Sequence, residues 1–237
     1  MRISFADERV LAVVAHPDDA EYLCAGTLAR AKQEDDAAIA ILVLGQGDKG
    51  QPSVPIPRLA AVRRKEMTLA AGLLRAELFF GRVPDGHLAD TPAQRRVLVE
   101  VFRRFRPTLV LAHNPADYHA DHRAASALAE AASWFCASAG HKTQSAALAT
   151  QPALWWMDTM NMAGFEPSLY IDVSEYAGVK RLMLDCHRSQ LQRGTEGDFS
   201  PLAEQMLRQC EARGTQAGVA AAEAFRPHLV WKRARAW

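Results

Sequence analysis

The chain has 237 residues, 49% of them hydrophobic and 23% charged, with a formal net charge of +1. This is an ordinary globular composition with enough apolar content for a full-sized core, and the near-zero charge gives no electrostatic case for nucleic acid or an anionic membrane. The four cysteines, Cys24, Cys136, Cys186 and Cys210, form no Cys-x-x-Cys pair, which leaves zinc ribbons, thioredoxin-type motifs and disulfide frameworks unsupported.

The first nine residues meet charge before any signal-peptide core forms, and no run approaches the roughly 20 apolar residues of a membrane span. A cytoplasmic protein is expected. The run at 10–15, Val-Leu-Ala-Val-Val-Ala, predicts a strand buried on both faces. It stops at His16, and Pro17, Asp18 and Asp19 follow at once. In a parallel α/β sheet, ligands bind beyond the carboxyl ends of strands, so these side chains are aimed at a common point. Asp19 is expected to cap a helix over roughly 20–33, and a second buried strand at 38–44 completes a right-handed βαβ unit.

Residues 45–57 are rich in Gly and Pro and predict a long irregular loop of functional interest. A helix over 58–74 carries Arg63 and Glu66 at i, i+3, readable as a surface pair. A strand at 76–80 leads to Pro84-Asp85-Gly86, a turn. A helix at 91–105 and a strand at 108–112 precede His113-Asn-Pro-Ala-Asp-Tyr-His-Ala-Asp-His122, which opens a helix over 122–137. Residues 138–152 read as a surface loop, and strands are expected at 153–157 and 169–173. Asp172-Val-Ser174 opens a helix running to about Ser189, 190–201 is a connection, and a helix covers 202–213. A last helix or strand precedes Arg226-Pro227. The alternation predicts an α/β fold, a doubly wound, mostly parallel sheet in one domain.

Three of the eight histidines, His113, His119 and His122, lie within ten positions after one predicted strand, and His16 follows another. Zinc with an open position takes three His or carboxylate ligands plus a water. His16 and Asp19 in one turn, with His122 at a helix start, make such a set; iron(II), cobalt or nickel suits the same donors. Asp18 is then placed to accept a proton from the metal-bound water, and His119 to donate one or to stabilise an oxyanion. Those parts describe metal-assisted amide hydrolysis.

The plainer readings are a loop with an Asp helix cap at 16–19, a hydrogen-bonded core histidine at His113, and surface histidines at His87, His141 and His228. The conjunction of two such loops at one sheet edge favours the metal site. A nucleotide site is disfavoured, because Ala15 to Gly26 lacks the Gly-x-Gly-x-x-Gly pattern.

Ala15-His-Pro-Asp-Asp-Ala-Glu21 together with His119-Ala-Asp-His122 resembles the PIG-L/LmbE-like family of zinc-dependent N-acetylglucosaminyl deacetylases. Gly26-Thr-Leu28, Arg63, Glu66, Pro84-Asp85-Gly86, Asp117-Tyr118, Asp172-Val-Ser174 and His187-Arg-Ser-Gln190 extend the likeness to about Phe225. The resemblance implies a Rossmann-like sheet with helices on both faces and one Zn2+ (or Fe2+) per subunit on His16, Asp19 and His122. It implies Asp18 as general base, His119 as acid or oxyanion partner, and Asp121 as the residue orienting His119 or the ligands. Arg63 and Asp85 match sugar-contacting positions, and His187, set with these substrate-side residues, and Gln190 are carried over as groups near the site or at a subunit boundary.

The implied substrate is a small N-acetylated sugar or glycoconjugate, with no nucleic-acid or membrane partner, and the implied assembly is a homo-oligomer, trimer or hexamer. Ala120, where Pro is frequent, and Tyr22-Leu23 and Ala25 depart from the family pattern; they bear on pocket shape and remove no ligand. Two alternatives remain: a metal-dependent amidase acting on another N-acyl group, and a non-catalytic ligand-binding domain.

Overall fold

The computed structural model describes residues 3–191, 201–231 and 235. Seven strands form one sheet: β1 (Arg9–Val14), β2 (Ala38–Gly45), β3 (Glu77–Val83), β4 (Leu109–Ala112), β5 (Ala153–Met157), β6 (Leu169–Asp172) and β7 (Ala222–Pro227), in the spatial order β3-β2-β1-β4-β5-β7-β6. The first five run parallel, and β7 pairs antiparallel with both β5 and β6. The helices are α1 (Asp19–Leu23), α2 (Ala25–Asp35), α3 (Leu59–Leu73), α4 (Pro92–Phe105), α5 (Ala120–Phe135), α6 (Ala177–Leu184), α7 (Arg188–Leu191) and α8 (Leu202–Ala217). No described helix is long and apolar enough to cross a membrane.

The unbroken apolar runs exist because both faces of the central strands are covered. Along β1, Val10, Ala12 and Val14 belong to one core, and Leu11, Val13 and the following Ala15 to the other; β2 divides the same way. Helices α4 and α5 cover the second core, while α1, α2, α6 and α8 cover the first. The chain builds outward from β1 to β2 and β3, then returns to lay β4 on the other side of β1. That reversal opens a crevice between the carboxyl ends of β1 and β4. The α/β expectation holds, and β7 supplies the antiparallel member of a mostly parallel sheet.

Several expected boundaries move for physical reasons. The single helix over 20–33 is two, broken at Cys24, whose φ of −147° is not helical. Asp19 does not cap it: Asp18 occupies the N-cap position and makes no side-chain cap, and Asp19 is the first helical residue. The helix expected to reach Ser189 stops at Leu184, and a short α7 follows. Buried Glu66 on α3 accepts from Ser189 N and Oγ at 2.8 and 2.7 Å and so fixes the start of α7. The Arg63–Glu66 surface pair is therefore not formed; both side chains are buried and bond elsewhere. Most of the expected 190–201 connection lies outside the described residues.

Candidate active site

The turn after β1 is tight because Asp19 Oδ2 accepts the His16 N–H at 2.7 Å. The same carboxylate lies 3.6 Å from His16 Nδ1 through Oδ2 and 3.4 Å from His122 Nε2 through Oδ1. Each of these histidines has a second carboxylate on its far nitrogen. His16 Nε2 is 3.1 Å from Asp121 Oδ2, and His122 Nδ1 is 3.1 Å from Asp117 Oδ1. Asp117 Oδ1 also accepts the His119 N–H, and Asp121 Oδ2 the Gly86 N–H.

A carboxylate on the far nitrogen holds the ring proton there and leaves the near nitrogen a lone pair, the usual arrangement behind a metal-ligating histidine. Two lone pairs and a carboxylate then face one another. That set is repulsive unless a cation lies among them or the rings are protonated. Burial opposes protonation, but the Asp19 carboxylate outweighs it and raises His16 to about 9; Asp19 and Asp117 together raise His122 to about 10. The carboxylates around both rings thus favour positive charge at this point. A borderline divalent ion such as zinc or iron(II) matches this nitrogen and oxygen set. The donors fit.

Among the described residues, donor atoms of His16, His119 and His122, and likewise of Asp19, His113 and His122, lie within 4.8 Å of one another. His113 is thus at the site, although it reads from sequence as a core histidine. It is fully buried and stacks on His122 with centroids 4.0 Å apart. Its Nε2 lies 3.0 Å from the Ala15 N–H and 3.2 Å from Asp19 Oδ2, and one nitrogen cannot accept from the first and donate to the second. Burial and the neighbouring His122 push its pKa down to about 4. The neutral ring accepting from Ala15 is the consistent form, and it braces β1 against β4.

Asp18 lies at φ 103°, a left-handed conformation costing a non-glycine residue on the order of 1–3 kcal/mol. Arg63 on α3 holds it there: Nη2 donates to Pro17 O and, at 2.8 Å, to Asp18 Oδ2. Burial raises the Asp18 pKa and the guanidinium opposes that rise; the net direction is up. His119 caps α5 by accepting the Asp121 N–H on Nδ1 at 3.1 Å, which leaves the proton on Nε2. Burial and the nearby His122 and His16 lower its pKa. Both side chains line a cavity of about 480 Å³ with His16, Asp19, Asp121 and His122.

The residues expected on the substrate side divide. Arg63 and Asp85 line the cavity, but they also order its wall. Asp85 accepts from Gly47 N and Lys49 N, at 2.7 and 3.1 Å. Gly47, at φ 70°, has no room for a Cβ, which would come 2.7 Å from the Arg63 guanidinium.

His187 corrects the expectation. It is fully buried, does not line the cavity, and lies 3.2 Å from the equally buried Glu21, outside hydrogen-bond geometry. Its place directly before α7 turns the ring toward α1, behind the site. Gln190 does line the cavity and donates to Gly50 O at 3.1 Å. Asp121 supports the ring of His16, whereas its link to His119 runs through its own backbone N–H.

Asp117, 3.1 Å from His122 Nδ1 and accepting the His119 N–H, is not singled out by spacing alone. Its signal was local, two positions before His119 and five before His122. Asp117→Asn is expected to weaken divalent-metal binding about 10–100-fold, read by competition with a chromogenic chelator. Unchanged affinity would remove Asp117 from the metal's support.

The profile of the PIG-L family, GlcNAc-PI de-N-acetylase, matches residues 11–133. The conserved protein TT1542 from Thermus thermophilus is 33% identical, covering 97% of this chain and 100% of its own, with a TM-score of 0.80. N,N'-diacetylchitobiose deacetylase from Pyrococcus horikoshii is 22% identical over 93% of this chain and 83% of its own, at TM-score 0.81. GalB, the 4-carboxy-2-hydroxymuconate hydratase from Pseudomonas putida, is also 22% identical, over 97% and 100%, at TM-score 0.81.

Proposed function

Because the chain belongs to the PIG-L, GlcNAc-PI de-N-acetylase, family, we propose that it is a metal-dependent hydrolase removing the N-acetyl group from a small amino sugar or glycoconjugate. The observation that carries this reading is the Asp19 carboxylate facing two imidazole nitrogens, each backed by a further carboxylate, with Asp18 and His119 lining the same cavity. His16, Asp19 and His122 would hold the metal, zinc in the first instance. A divalent cation there supplies Lewis-acid chemistry, acidifying water and polarising a carbonyl.

The chain's own groups do the rest. Asp18, with its pKa raised by burial, takes the proton of the attacking water. His119, neutral with its proton on Nε2, donates a hydrogen bond to the developing oxyanion, and the proton that Asp18 has taken passes to the leaving amine. Arg63 keeps Asp18 oriented while Asp85 and the backbone of 47–50 form the sugar-side wall. A cavity of about 480 Å³ is ample for a monosaccharide with a substituent.

The fold by itself does not choose the reaction, since a hydratase shares it; the amide reading rests on the residues. Amine release from N-acetylglucosamine derivatives tests it directly. A chelator is expected to reduce turnover by about a hundredfold or more, and one equivalent of Zn2+ or Fe2+ to restore it. Turnover that persists in metal-free protein, or no amine from any N-acyl sugar, overturns the proposal.

A further inference from the structure

The sheet order divides the cavity into two unlike banks. Lys49, Gly50, Arg63 and Asp85, on and between α3 and the ends of β2 and β3, make one bank polar. Tyr118 and Met160, from the segments after β4 and β5, make the other apolar, joined by Tyr22 of α1 and Leu202 of α8. The histidines and Asp19 lie between the banks, at the ends of β1 and β4.

The apolar bank is a built feature. Tyr118 is 60% exposed, stands edge-on to His119 and His122 with centroids 5.9 Å away, and donates its hydroxyl to Met160 Sδ at 3.4 Å. Met160 is carried on a turn whose next two residues, Asn161 and Met162, both have left-handed φ, 57° and 59°. Non-glycine residues persist there only when the surroundings over-determine them, a state that gathers at functional sites. Here Gln209 does so: Oε1 accepts Asn161 N at 2.9 Å and the Tyr22 hydroxyl at 3.3 Å, and Nε2 donates to Thr159 O at 2.9 Å. A buried amide thus fixes a strained turn that puts a thioether on the cavity wall.

An N-acyl amino sugar is polar on one side of its amide and apolar on the other. With the hydroxyls on the polar bank and the amide at the histidines, the acyl chain falls on Tyr118 and Met160. Resting on the amide-hydrolase reading above, and widening its substrate from N-acetyl to N-acyl sugars, we propose that this bank is an acyl-chain subsite, and that amino sugars carrying N-acyl groups longer than acetyl are turned over in preference to the N-acetyl sugar. Met160 and Tyr118 would then determine specificity, and each methylene seated on them raises affinity about threefold to fourfold.

The test compares N-acetyl-, N-butanoyl- and N-hexanoylglucosamine by amine release and by calorimetric Kd on the metal-loaded protein. Butanoyl is expected to exceed acetyl about tenfold in kcat/KM, and hexanoyl to bind at least about tenfold tighter than acetyl. Met160→Ser and Tyr118→Ser should shrink both ratios to about threefold or less, and Met160→Leu should retain them.

Acetyl equal to or better than the longer chains in both readouts overturns the subsite, even if amine release proves the hydrolase. A preference that follows an alkyl aglycone instead of the acyl group overturns it too. If no amine is released but hexanoyl still binds more tightly through Met160, the subsite stands and the hydrolase reading falls.

Discussion

Asp18→Asn is expected to lower kcat roughly a thousandfold, the scale of losing a positioned general base, while the protein keeps its full metal content. Asparagine is the substitute that isolates the base. It tolerates the left-handed backbone that Asp18 adopts at φ 103°, and its amide oxygen still accepts from Arg63, which now lies 2.8 Å from the carboxylate. Asp19, His16 and His122, the proposed ligands, are untouched, so metal content is expected not to change. What disappears is the ability to take a proton. Amine-release kinetics alongside elemental analysis decide the matter: more than a tenth of the wild-type rate at unchanged metal content would rule Asp18 out as the base.

The second large effect is on stability and lies away from the site. Lys180 and Glu223 are buried and ion-paired, with Lys180 Nζ also donating to Tyr22 O at 2.9 Å. Glu223 in turn accepts the Gly26 and Thr27 N–H groups, at 2.9 and 2.7 Å, and so caps the start of α2. Burial works against the Lys180 charge, but the Glu223 carboxylate prevails and raises its pKa.

Glu223→Gln leaves that ammonium in the core without a counter-charge, which costs about 3–5 kcal/mol. For a chain of this size the expected fall in Tm is about 6–20 °C, read by calorimetry. Removing both charges, as Lys180→Met with Glu223→Leu, should recover a large part of the loss. A single variant as stable as wild type would mean that the pair contributes nothing to the join of α1, α2, α6 and β7.

The contrast between His113 and His187 shows how far a linear reading reaches. Both histidines stand next to recognisable elements. His113 follows a buried strand, and its bland reading as a core histidine is compatible with its bond to Ala15; yet the alignment of β4 beside β1 puts it against Asp19. His187 was placed near substrate by resemblance and lies sealed against Glu21. The direction of a side chain depends on where its element packs, and that is set by neighbours more than 90 residues away in sequence.

The sequence alone determined the alternation of strands and helices, through apolar runs whose period reports burial. It also determined which loops carry donors, because His16, Asp18, Asp19, His119 and His122 are short-range neighbours within two motifs. Only the tertiary structure decided that Asp121 backs His16, that Arg63 clamps a strained Asp18, and that Tyr118 meets Met160. The physical reason is range. Strand and helix periods arise from local backbone geometry, whereas these contacts arise from strand order, which puts the ends of β2, β1, β4 and β5 side by side.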